Sequence, residues 1–296
     1  MIPFRQLKRQ ALGPSLLMLE EGVKYPVLLT LAMAVASATQ PHPTSDEIIR
    51  RSVAATDADW QEAPNYSFIN RVAESKHGAR RGLKTYDVLM IEGSPYNKVI
   101  AVNDNPLAAG ERAEEERKLQ REIYKRQHES NRERSHRIAK YKRERDQDHV
   151  MMKQMVEAFD FTLSGEEHLA DRGVWVLNAT PKPGYIPHNH EGKVLMGMKG
   201  KLWIDQATYR WVKVEAQVVR PVSFFGFFAR VGPGTRFVLE QEPVNDNLWL
   251  PKHFSVNVVA SAFGFIDGSS TEDDTYSDYR PMPKAEAVAP SARSTE

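Results

Sequence analysis

The stretch from Gly200 to Arg220, GKLWIDQATYRWVKVEAQVVR, constrains the fold most. Two runs of alternating apolar and polar residues flank Asp205-Gln206-Ala207-Thr208, the pattern of a half-buried antiparallel hairpin closed by a polar turn. In the second run Val212, Val214, Ala216 and Val218 are expected on one face, with Lys213, Glu215 and Gln217 on the other. One face is made for an apolar neighbour and the other for water.

Around this hairpin the chain reads as a long meander. The runs Tyr66 to Val72, Thr85 to Ile91 and Asn97 to Val102 open a sheet, with a turn at Lys76-His77-Gly78. Asp160 to Leu163, Gly173 to Thr180 and Lys193 to Met198 resume it before the hairpin. Val222 to Arg230, Thr235 to Glu240, Trp249 to Leu250, His253 to Val259, Phe263 to Ile266 and Thr275 to Tyr279 follow, giving an α+β protein of about ten strands. A helix capped by Thr44 or Ser45 precedes the meander and runs to about Ala55, with Ile48, Ile49, Ser52 and Val53 as its buried stripe.

Between Leu107 and Ala158 the composition changes to Glu, Lys, Arg and Gln, with no glycine from 111 to 164 and no proline from 107 to 180. Strong helix formers without breakers predict a long helical insertion over 107 to 158. Its cluster of Arg132, Arg134, Arg137, Lys140, Lys142, Arg143 and Arg145 is interleaved with Glu129, Glu133, Glu144, Asp146 and Asp148. Such i,i+4 pairing without an aromatic platform argues against nucleic acid and for a solvated arm that meets a protein partner. The whole chain carries 40 basic and 39 acidic residues, so no global field favours nucleic acid or an anionic membrane.

Residues 24 to 38, KYPVLLTLAMAVASA, match a secretory signal cleaved after Ala38. Glu20 and Glu21 oppose such a signal, so residues 1 to 22 read as an over-extended start, with translation from Met18 or Val23. Residues 1 to 38 are thus the expected leader, 45 to 281 the domain, and 282 to 296 a disordered Pro, Ala and Ser tail. The absence of cysteine excludes disulfides, thiolate metal sites and a cysteine nucleophile.

No serine-nucleophile elbow, phosphate loop or dinucleotide fingerprint is present, and no cofactor is expected. His188, His190 and Glu191, with His168 as a further ligand, are the residues a metal-dependent hydrolase would use, but their spacing matches no metal motif. Phe224, Phe225, Phe227 and Phe228 around Gly226 put aromatic surface on both faces of a strand. Two readings stand for the second face: it packs on the protein's own helix, or it meets a lipid chain or a lipidated partner.

The signal, the N-terminal helix, the meander and the turn carrying Leu202, Trp203, Ile204, Asp205, Thr208 and Lys213 together resemble the periplasmic lipoprotein-sorting proteins of the LolA/LolB-like superfamily. The resemblance covers Ser45 to Arg280. It implies an incomplete antiparallel β-barrel, a curved sheet around an apolar concavity that helices cover and an acyl chain enters. The insertion 107 to 158 departs from that pattern, and no acyl-binding arginine can be matched. The function implied is that of an exported, non-enzymatic periplasmic carrier of a lipid or acylated lipoprotein. Its expected ligand-binding residues are Val212, Val214, Phe237, Leu239, Phe254 and Val256, with Phe224, Phe225, Phe227 and Phe228 beside them. An envelope interaction or sensor protein, using the arm 107 to 158 with the sheet packed shut, is the alternative.

Overall fold

The computed structural model describes residues 43–188, 191–223, 229–262 and 266–282. The expected leader lies outside them, as does the expected tail apart from Met282. Helix α1 (Ser45–Glu62) begins where Thr44 accepts a hydrogen bond from the Glu47 amide, with Asp46 and Glu47 in the first turn. It buries Ile48, Ile49, Ser52, Thr56 and Asp59 along one stripe, and outruns the expected Ala55 until the chain reaches Pro64.

Strands β1 (Tyr66–Lys76), β2 (Ala79–Ile91), β3 (Ser94–Val102) and the short β4 (Asn105–Pro106) form a meander. The turns His77-Gly78, Glu92-Gly93 and Asn103-Asp104 all have positive φ at both central residues, the geometry that matches strand twist in two-residue hairpins.

The charged stretch forms two helices where one was expected, α2 (Ala109–Gln127) and α3 (Asn131–Ala158). Ser130 caps the Glu133 amide while Glu133 reaches back to the Ser130 amide, so a capping box starts a new helix without glycine or proline. Arg126 and Arg137, on either side of the break, both donate to Ser94 Oγ at the β2–β3 turn, at 3.2 and 2.7 Å.

The sheet resumes with β5 (Phe159–Leu169), β6 (Arg172–Pro181), β7 (Met198–Asp205) and β8 (Trp211–Val218). Residues 193 to 197, expected as strand, lie in a 3-10 helix, Glu191–Gly197. Here Leu195 is buried in the core, and the Gly197 carbonyl accepts the amides of Val219 and Arg220. A Cβ on Gly197 would sit 2.6 Å from the Arg220 carbonyl oxygen, so only glycine permits that approach.

The remaining strands are β9 (Val222–Ser223), β10 (Ala229–Val231), β11 (Arg236–Asn245), β12 (Leu248–Ala262) and β13 (Ile266–Pro281). One antiparallel sheet results, in the order β4-β3-β2-β1-β13-β12-β11-β8-β7-β6-β5, with β10 on β12 and β9 on β10. The first and last long strands pair, while the edges β4 and β5 stay unjoined and are connected in sequence by α2 and α3. The protein is therefore α+β with an incomplete antiparallel barrel.

Helix α1 and the end of α3 pack on the inner face of this sheet. Ile48, Ile49 and Ala158 meet Trp175, Leu177, Leu202, Ile204, Trp211 and Val214, with Met155 and Val156 against them. The expected face of β8, three valines and Ala216, is corrected at one position. Leu202 pairs with Val214 and Trp203 with Lys213, but Ile204 pairs with Trp211. A bulge at Val212 therefore brings Trp211 onto the inner face and turns Val212 to the outer one, where it packs with Val174, Val176 and Trp203. Val214, Ala216 and Val218 keep the inner face, opposite Leu202, Gly200 and Met198.

Candidate functional site

The inner face divides into a filled half and an apolar row beside it. In the filled half Val214 is 5% exposed beneath the helices. The crevice left there, between Val53, Thr56, Val156 and Trp211, measures about 10 Å³, room for no more than a water molecule. Helices α1 and α3 are locked by the Trp60 and His149 rings, stacked at 4.3 Å, and by the Arg145 guanidinium 4.0 Å from the Trp60 centroid.

On the next strands Leu239 faces Val214 across β8–β11, and Phe237 faces Ala216. Across β11–β12 Leu239 meets Phe254 and Phe237 meets Val256, and the Phe237 and Phe254 rings stand edge to face at 5.1 Å. All four are half-buried. The structure thus groups Phe237, Leu239, Phe254 and Val256, places Val214 under α1, and sets Val212 on the other face. Phe224, Phe225, Phe227 and Phe228 lie outside the described residues. Their flanking strand β10 pairs with residues 260–262 of β12, the strand that carries Phe254 and Val256.

Beyond this row the inner face turns polar in a way that local pattern does not reveal. Asp274 faces Phe254, and Glu272 faces Val256. Across β1–β13 Tyr276 faces Asn70, Asp274 faces Val72, and Glu272 faces Glu74. Asp274 is 7% exposed, and burial pushes its carboxyl up to about 6. Glu272, Asp273 and Glu74 add to that rise, while the hydrogen bond from the Tyr276 hydroxyl opposes it. Burial likewise raises the Tyr276 and Tyr279 hydroxyls far above the usual phenol range.

A stability test follows from this group. The Asp274 carboxyl holds its proton more tightly in the folded chain than in the unfolded one. Its stabilising contribution is therefore complete below the unfolded carboxylate range and is lost as pH rises through about 6. Relative to wild type, Asp274→Asn should gain about 1–2 kcal/mol between about pH 4 and pH 7.5, after allowance for solvent screening. Urea midpoints at the two pH values measure this, and a constant difference between the proteins would refute it.

The histidines expected as metal ligands are not brought together. His168 pairs with Gly173 beside the β5–β6 turn, whereas His188 Nε2 lies 3.9 Å from Glu157, near the other end of β5. The two are separated by most of that strand, about 30 Å at the rise of a β-strand. His190 lies outside the described residues, and among those described no three His, Asp or Glu groups are placed to hold a metal.

A second concavity lies on the outer face, where α2 crosses the sheet. Leu119 and Ile123 of α2, Leu89 to Ile91 of β2, and Met282 enclose a groove of about 400 Å³. Among the described residues no helix is long and apolar enough to cross a membrane.

No protein-family model matches the sequence, and no curated protein matches it. Solved structures do. A LolA superfamily protein from Nitrosomonas europaea matches at 13% identity and TM-score 0.28, over 81% of this chain and 96% of its own. An outer membrane lipoprotein-sorting protein domain from Vibrio parahaemolyticus matches at 11% identity and TM-score 0.32, over 80% of this chain and 95% of its own. The MucA/MucB complex of Pseudomonas aeruginosa matches at 12% identity and TM-score 0.22, over 78% of this chain and 99% of the matched one. The superfamily that the sequence resembles is thus among the structural matches.

Proposed function

We propose that the protein is an exported, non-enzymatic periplasmic binding protein that holds the alkyl chain of a lipid or acylated protein on its inner face. The observation that carries this reading is the apolar row Phe237, Leu239, Phe254 and Val256. It continues the packed core onto strands β11 and β12, yet stays half-buried after α1 and α3 have covered Val214. An apolar row with a few polar groups at its border is what a site for an amphiphile requires. Each methylene laid on it supplies about 0.8 kcal/mol, so affinity grows with chain length without any covalent step. The aromatic segment Phe224 to Phe228 would enlarge the same surface, since β10 joins it to β12. The superfamily resemblance of the Leu202 to Lys213 turn is in keeping with this role, as are export through residues 24 to 38 and cleavage after Ala38.

Titration with a fluorescent alkyl probe tests the reading. Phe254→Asn places an uncharged polar group in the row, opposite Asp274, and should weaken probe binding at least about tenfold in a protein that still unfolds cooperatively in urea. Unchanged binding in the folded variant, or no binding to wild type, would overturn it.

A further inference from the structure

The polar border of the row defines the head group of the ligand, an inference that rests on the reading of the row as an alkyl-chain surface. Asp274 is 7% exposed; its Oδ2 accepts the Tyr276 hydroxyl proton at 3.1 Å, while its buried Oδ1 has no hydrogen-bond partner among the described residues. Asn70, opposite Tyr276 on β1, likewise holds a buried Oδ1 without a partner among the described residues. Two orphaned acceptors on one face are costly unless a donor reaches them.

The charges beside them select the kind of donor. Glu74 and Glu272 face one another on the same side of the sheet, two residue pairs along from Asp274 and next to it on that face. The neighbouring cation, Lys84, stands opposite Val72 on β2 and is exposed, with Val72 between it and Asp274. An anionic head would be repelled, and an uncharged one would leave the carboxylates uncompensated. Phe254 lies opposite Asp274, so one strand spacing, about 4.8 Å, separates the apolar row from the acceptors. We infer that Asp274 and Asn70 receive the primary ammonium head of an amphiphile whose alkyl chain lies on Phe254 and Val256.

Three probes of one chain length, dodecylammonium, dodecanol and dodecanoate, used below their micelle concentrations, test this by isothermal titration of the full chain. Wild type should bind dodecylammonium about tenfold or more tighter than dodecanol, the effect of one charge-assisted hydrogen bond, and dodecanoate most weakly. Asp274→Asn should abolish the preference for ammonium over dodecanol. Equal binding of dodecanol and dodecylammonium to wild type would overturn the head-group assignment and leave the alkyl-chain reading standing. So would a preference that survives in the folded variant. Failure of all three probes to bind would overturn both. The wild-type comparison decides the head-group question whether or not the variant folds.

Discussion

Replacing Arg210 with alanine is expected to cost about 3–5 kcal/mol of folding stability, the penalty for stranding a buried partner charge. Arg210 follows the β7–β8 turn, and its guanidinium grips both oxygens of Asp59 on α1, at 2.8 and 3.1 Å. The same guanidinium donates to the Asn247 carbonyl at 2.6 Å, in the β11–β12 turn. Asp59 is 4% exposed; burial raises its carboxyl, while the hydrogen bond and charge of Arg210 hold that rise back. In the variant the carboxylate keeps the backbone hydrogen bond at Trp249 and loses its counter-ion. Urea unfolding should show a lower midpoint at an unchanged slope. The paired replacement Asp59→Leu with Arg210→Met should recover most of the loss, because removing both charges abolishes the desolvation cost. A single-variant loss below about 1 kcal/mol would place the pair among solvent-screened surface bridges.

Trp211→Ala should be comparably severe, at about 3–5 kcal/mol, through a different mechanism. The Trp211 ring is 3% exposed between α1 and the inner face, and its Nε1 donates to Ser52 Oγ at 3.2 Å. Ser52 is itself fully buried and donates to the Ile49 carbonyl, so truncation opens a cavity and removes a buried donor together. The adjoining crevice is too small to hide the lost volume. Trp211→Phe keeps most of the ring and should cost clearly less. Thermal or urea midpoints of the two variants give the ordering, and equal losses would argue against a packing origin.

Both residues show how far the sequence could be read. Alternation placed the Gly200 to Arg220 hairpin, and its turn followed from Asp205. There Oδ1 accepts the amides of Ala207 and Thr208, at 3.1 and 2.7 Å, and the Thr208 hydroxyl at 2.8 Å. Alternation could not register the bulge at Val212, because the apolar-polar pattern from Val212 to Val218 is unbroken while the extra residue turns every earlier side chain over. Trp211 was therefore missed as a core residue and Val212 was set on the wrong face. The break between α2 and α3 had a legible marker in Ser130-x-x-Glu133, but helix formers on both sides concealed it.

Strand β13 was the hardest to read. It runs from Ile266 to Pro281, yet two separate runs, Phe263 to Ile266 and Thr275 to Tyr279, were expected, because Glu272, Asp273 and Asp274 put acids on both faces of a half-buried strand. Asp274 consequently carried no signal as a site residue. Its significance comes from the sheet order that sets it opposite Phe254 and beside Asn70, strands far apart in sequence. The row Phe237, Leu239, Phe254 and Val256 was legible because its alternation and its partner strands are close in sequence.

The most direct test of the central claim is to irradiate the full chain with a photoactivatable alkyl probe and map the adducts by peptide mass spectrometry. Adducts on residues 236–245 and 248–262, extending to the aromatic segment 224–228 and competed away by an unlabelled alkyl chain, are the predicted result. Adducts on residues 89–91 and 119–123 instead would place the ligand in the groove under α2 and contradict the account, as would labelling that competition does not reduce.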